Sequence, residues 1–205
     1  MSPIFDNPYI NKRNLMPTKK PLTPRQRELF NALLNDFLSE GFESFTIDNA
    51  SKRYRCSKST IYGLGTTRDE ILARILVSYF KEISRRTTPE ITSRTSFEKA
   101  FIDYFDNIKE ALSAASPKFM QDLASDPVAR DIYGINTKAA IEIIHSLLER
   151  GVASGEFQIT SISFTSRLIQ QAMDDIQQGT YLDVLETKEA YASLGQLILT
   201  GLKKP

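Results

Sequence analysis

Apolar residues in this chain recur at intervals of three and four, and no segment alternates apolar and polar positions in steps of two. One-sided helices are the regular structure that buries such a pattern. Leu29, Phe30, Leu33, Leu34, Phe37 and Leu38 make the first stripe, which stops at Gly41, a natural C-terminal breaker. Phe42 and Phe45 bracket a short link to Thr46, a suitable N-cap for a second helix running to about Tyr54. Ser57 is placed to cap a third, very short helix, and Ile71, Leu72, Ile75, Leu76, Tyr79 and Phe80 mark a longer one from about Thr67 to Arg86. Past the Thr-, Ser- and Pro-rich segment TTPEITSRTS, the stripe Phe97, Phe101, Tyr104, Phe105, Ile108 and Leu112 predicts another helix. The stretch bearing Pro117 and Pro127 reads as irregular. Further helices are expected over about 136 to 153, 162 to 178 and 187 to 202, which makes the fold all-α with about nine helices.

Composition removes several classes of function. Hydrophobic residues make up 41% of the 205, enough for a packed core, yet no run approaches the ~20 apolar residues that cross a bilayer. The first residues, MSPIFDNPYINKRNLMPTKKP, lack the apolar core of a secretory signal, so the expectation is a cytoplasmic protein with no membrane partner. One cysteine, Cys56, and one histidine, His145, leave neither an internal disulfide nor an ordinary structural zinc site. Glu142 and His145 have the Glu-x-x-His spacing of di-iron helical bundles, but those sites need a second such element and a second histidine. No Ser-His-Asp set or phosphate-cradling glycine loop appears, so no catalytic residue, metal or cofactor is expected and a helical-bundle enzyme is a remote alternative.

The net charge of +1 conceals a polarised chain. Residues 1 to 86 hold 15 Lys or Arg against 9 Asp or Glu, whereas residues 87 to 205 hold 11 against 16. A basic N-terminal part is what a phosphate-binding surface requires.

Arg25 to Leu72 resembles the DNA-binding domain of the TetR family. The resemblance rests on Gly41-Phe42 at the end of the first helix, on Thr46-Ile47 opening the second, on Ser57-Lys58-Ser59-Thr60-Ile61-Tyr62 as the recognition helix, and on Thr67-Arg68-Asp69-Glu70-Ile71-Leu72 opening the fourth. Arg55 stands where the family usually has glycine, and Gly65 where an aromatic commonly packs. The resemblance implies a flexible basic arm over 1–23, a helix-turn-helix domain over 24–68, a connecting helix over 69–86, and a ligand-sensing and dimerisation domain over 87–205. It also implies a ligand-responsive regulator, by default a repressor, that binds a palindromic double-stranded operator as a homodimer and is released or repositioned by a small molecule. A DNA-binding adaptor with no small-molecule ligand is the alternative.

Within that frame, Lys58 and Ser59 are placed to read base edges, and Tyr62, one turn on, to reach a phosphate or a thymine methyl. Thr46, Ser57, Thr60 and Arg68 stand at helix starts, where phosphate contact would lock orientation. Asp48 either accepts from a cytosine amine or favours its helix N-terminus. Lys52, Arg53 and Arg55 fit backbone contact and a solvated charge run equally well. Cys56 and Ile61 are expected in the headpiece core. Phe101, Tyr104, Phe105, Met120, Tyr133, His145 and Met173 are the candidate ligand pocket, although an aromatic stripe at helical spacing also makes an ordinary core. Phe164, Leu168, Ala172, Tyr191, Leu194, Gly195, Ile198 and Leu202 are the candidate dimer interface.

Overall fold

The computed structural model describes residues 21–92 and 94–202, so most of the basic arm expected over 1–23 lies outside the described residues. Nine helices and no strand are present among them: α1 (Pro24–Glu40), α2 (Ile47–Arg53), α3 (Lys58–Tyr62), α4 (Arg68–Thr87), α5 (Phe97–Leu112), α6 (Pro117–Ser125), α7 (Pro127–Ala153), α8 (Ile162–Gln177) and α9 (Thr187–Leu202). None is long and apolar enough to cross a membrane. The described residues cluster into two units, one formed by those up to Lys81 with Ala115–Ile135, the other by those over 82–114 and from 136 to 202. Residues 115–135, grouped by sequence with the C-terminal domain, thus pack with the headpiece.

The stretch around Pro117 and Pro127 is helical, not irregular. Each proline occupies the first position of a helix, where its missing N–H costs nothing and its fixed φ is already helical. Ser116 caps α6 by accepting from Phe119 N–H, and Asp126 Oδ1 caps α7 by accepting from Val128 and Ala129 N–H at 2.9 and 3.1 Å.

In the first unit, α1 opens with a capping box between Thr23 and Gln26 and ends at Gly41, whose φ is 79°. A Cβ there would lie 2.4 Å from Asp122 Oδ2, so only glycine fits both the backbone and the space. The link that follows is clamped from two sides. Asp122 of α6, 3% exposed, accepts from the N–H groups of Phe42 and Glu43, the latter at 2.8 Å, and its other oxygen pairs with Lys118 at 2.9 Å. From α4, Arg68 donates to the carbonyls of Phe42 (3.3 Å) and Phe45 (3.2 Å) while pairing with Asp126 Oδ2 at 3.1 Å. Beneath the clamp, Phe42 packs edge-on against Phe119, and Phe37 against Phe42 and Phe45.

The turn between α2 and α3 is a Schellman closure. Cys56 N–H bonds back to Ser51 carbonyl at 3.2 Å and Arg55 N–H to Lys52 carbonyl at 3.3 Å. Arg55 consequently sits at φ 47°, the one non-glycine residue with positive φ among those described. Cys56 is only half-buried, unlike Ile61, which is completely buried. Leu64 is also fully buried, and at Gly65 a Cβ would approach the Ile71 nitrogen to 2.8 Å, so no aromatic could occupy that position.

In the second unit, α9 lies along α5, with Gly195 against the Phe105 side chain, and Tyr191 OH donates to the Met173 carbonyl of α8 at 3.3 Å. The turn Gly155-Glu156-Phe157 returns the chain: Glu156 Oε2 accepts from Ser96 Oγ and Glu98 N–H at the start of α5, and Phe157 is buried near Phe101.

Two stability changes follow from the clamp and the turn. Asp122→Ala leaves two N–H groups without their acceptor and should cost about 2–4 kcal/mol in urea unfolding, with Asp122→Asn losing less because a carbonyl oxygen remains. Arg55→Gly should add about 1 kcal/mol by removing the left-handed penalty, raising the thermal midpoint by roughly 2–4 °C, whereas Arg55→Ala should give no gain.

Candidate nucleic-acid interface

Helix α3 has five residues and cannot persist alone, so its position depends on what holds its ends and its inner face. Ser57 Oγ accepts from Thr60 N–H at 3.2 Å and shares a further hydrogen bond with the Thr60 hydroxyl at 3.0 Å. Ile61 is the inward anchor, fully buried. Ser51 Oγ donates to the Cys56 carbonyl at 2.7 Å, tying the turn to α2. Helix α2 is capped in the same manner by Thr46, whose Oγ1 accepts from Asn49 N–H at 3.1 Å.

The far end of α2 is fastened to α1 by charge. Arg53 reaches Asp36 at 2.7 Å and forms a two-pronged pair with Glu40 at 2.7 and 2.9 Å, while Tyr54 OH donates to Asp36. The guanidinium holds the Glu40 carboxyl below its ordinary range, and burial together with the Asp36 hydrogen bond pushes the Tyr54 phenol up. Arg53 is therefore a brace between helices. Helix α4 starts with its own cap: Glu70 accepts from Thr66 N–H and Oγ1 at 2.7 and 2.6 Å, which lowers the Glu70 pKa, and Thr67 Oγ1 accepts from Glu70 N–H.

With these groups engaged, the outward side chains of α3 are Lys58, Ser59 and Tyr62, the last 46% exposed. Lys58 does not stand free. Its ammonium pairs with Asp48 Oδ1 on α2 at 2.6 Å, which lowers the Asp48 pKa and raises that of Lys58. Thr46, Asp48, Ser57, Lys58, Ser59, Thr60 and Tyr62 thus lie on, or cap, two adjacent short helices. Arg68, expected at a phosphate, instead directs its guanidinium inward to the Phe42 and Phe45 carbonyls and to Asp126. Sequence reasoning did not find Asp126, which holds it there, or Asp122 and Lys118, which clamp the same link from α6. The available signal was the pair Ser116-Pro117 and Asp126-Pro127, each an N-cap followed by an N1 proline.

All of the candidate pocket residues except His145 are buried. Phe101, Tyr104 and Phe105 are almost completely buried, with the Phe105 ring against both of the others, and Met173 is buried on α8. Met120 and Tyr133 belong to the other unit, Tyr133 against Phe80 at 5.9 Å. His145 is partly exposed and lies 3.6 Å from Glu149 one turn on.

Tyr191, Gly195 and Leu202, expected between two copies, are buried in the protomer's own core, because that face of α9 packs on α5. Ala172, Leu194 and Ile198 are partly covered. Phe164 (63%), Leu168 (55%) and Leu197 (72%), the last not anticipated, are exposed.

A family model described as the C-terminal region of QacR-like proteins matches residues 87–204. A search of curated proteins finds no match. Solved structures of the same fold include a TetR transcription regulator from Haloarcula marismortui, 15% identical, TM-score 0.69, spanning 88% of this chain and 98% of that one. A TetR-family transcriptional regulator from Marinobacter aquaeolei is 16% identical with TM-score 0.68, over 89% and 93% of the two chains. The fatty acid degradation regulator FadR from Bacillus halodurans is 16% identical with TM-score 0.66, over 88% and 97%. On the match over residues 87–204 and the helix-turn-helix at its N-terminal side, the chain belongs to the TetR family of DNA-binding transcription regulators.

Proposed function

We propose that the protein is a cytoplasmic homodimeric repressor that places α3 of each headpiece in the major groove of a palindromic operator and releases it when a small molecule binds the second unit. The observation that carries the DNA-reading part is the division of α3 into an anchored face, Ile61, and an outward face, Lys58, Ser59 and Tyr62. Lysine donates to guanine O6 and N7, and serine pairs with several base edges. Thr46, Ser57 and Thr60 lie at helix starts, where hydroxyls meet phosphates. Arg68 acts on DNA only through the link it holds.

Homodimer formation is supported by the exposed Phe164 and Leu168, one turn apart on α8, and by Leu197 on α9. Effector binding is supported by the Thr137 and Ser166 hydroxyls and the Gln177 amide nitrogen, which are buried without a hydrogen-bond partner among the described residues. Such groups call for a ligand, water or a second protomer. FadR, one of the proteins of similar fold, is a fatty acid degradation regulator, which favours a largely apolar effector.

The reading is tested with duplexes selected from a randomised library, compared with unselected DNA. Lys58→Ala should weaken selected duplexes about tenfold to a hundredfold per half-site and hardly change unselected DNA. Thr60→Ala should weaken both together with an unaltered salt dependence, since no charge is lost. Full discrimination by Lys58→Ala would remove α3 as the reader. The double variant Phe164→Glu, Leu168→Glu should sediment as a monomer at micromolar concentration; a wild-type monomer there would end the homodimer reading.

A further inference from the structure

The pairing of Lys58 with Asp48 assigns the carboxylate a function of its own. We propose that Asp48 withholds Lys58 from DNA phosphates and so suppresses binding to non-operator sequence, making it a specificity-determining residue; the inference rests on the reading of α3 as the DNA-contacting helix.

Lys58 is the sole cation in α3, at its first position, with its side chain more than half exposed. A lysine so placed would attach to any phosphate, since every sequence offers the same backbone charge. The Asp48 carboxylate, equally exposed on the second residue of α2, lies 2.6 Å from that ammonium. The pair presents almost no net charge, so a phosphate that approaches Lys58 meets the repulsion of Asp48 at the same time. Little counterion release is then gained from the contact. A G·C pair is treated differently. Guanine offers two acceptors to the lysine, and the cytosine amine is a donor the carboxylate can accept from. Asp48 therefore penalises phosphates and acceptor-only edges while leaving a G·C edge accessible.

Charge engagement nearby makes this pair consequential. Arg53 is held by Asp36 and Glu40, and Arg68 by Asp126 and two carbonyls, so neither replaces Lys58 at the surface of α3; Lys52, on α2 like Asp48, is exposed and acts on Asp48 more weakly than Lys58 does. Asp48 is not needed for capping, because Thr46 caps α2 through Asn49 N–H, and its loss leaves the buried residues of the headpiece untouched.

The test uses the full chain, an unselected duplex pool of about 30 bp and a duplex chosen from a randomised library, at salt concentrations from about 50 to 200 mM. Asp48→Ala should bind the unselected pool roughly 3- to 10-fold more tightly, with a salt slope steeper by about one per headpiece. The selected duplex should gain less, so the ratio between the two narrows. In the Lys58→Ala background the gain from Asp48→Ala should vanish. Unchanged or weaker binding to the unselected pool overturns the proposal. So does a gain that persists without Lys58, which would report net charge alone. Loss on the selected duplex with no gain on the unselected pool would make Asp48 a base reader alone and would equally overturn it. If the wild type binds neither duplex, the DNA-binding reading of α3 falls first and this inference with it.

Discussion

One buried carboxylate organises the headpiece. Asp122 collects the N–H groups of Phe42 and Glu43, while Arg68 collects the carbonyls of Phe42 and Phe45, so both polar edges of the link between α1 and α2 are satisfied by side chains. A link of this kind has no partners of its own in a helix or sheet, and its buried groups would otherwise be left unpaired. Asp126 completes the arrangement by capping α7 with one oxygen and holding Arg68 with the other. The angle at which α2 leaves α1, and with it the position of α3, depends on these three side chains and on the glycine at 41 that lets Asp122 approach.

The same economy governs the charged residues of the helix-turn-helix. A basic headpiece suggests a surface of free cations, but beyond α1 three of its basic side chains are committed to acids on other elements: Arg53 to α1, Arg68 to the Asp126 cap of α7 and Lys58 to α2. Two of these pairings set geometry. The third lies on the outward face, where an exposed ion pair contributes little to stability and its effect falls on what the surface attracts.

Much of the site was legible along the chain because it is made of local rules. Thr46 and Ser57 cap the helices their positions predicted, Gly41 ends α1, and Arg55 adopts the left-handed conformation that the absence of glycine made costly. Each depends on hydrogen bonds spanning five residues or fewer. The prolines at 117 and 127 were equally local signals, and reading them as breakers missed that proline opens a helix as readily as it interrupts one.

Sequence by itself determined the all-α class, the ends of the first three helices and the residues of the short third helix, since periodicity and capping act over one or two turns. Tertiary structure alone decided which face of α9 is covered, that the Phe101, Tyr104 and Phe105 stripe packs as core, and that Arg68 turns inward. The reason is range: Asp122 meets Phe42 across 80 residues, and Arg68 meets Asp126 across 58. No periodicity within a helix encodes which distant carboxylate will lie beside its cation or which neighbour will cover its apolar stripe.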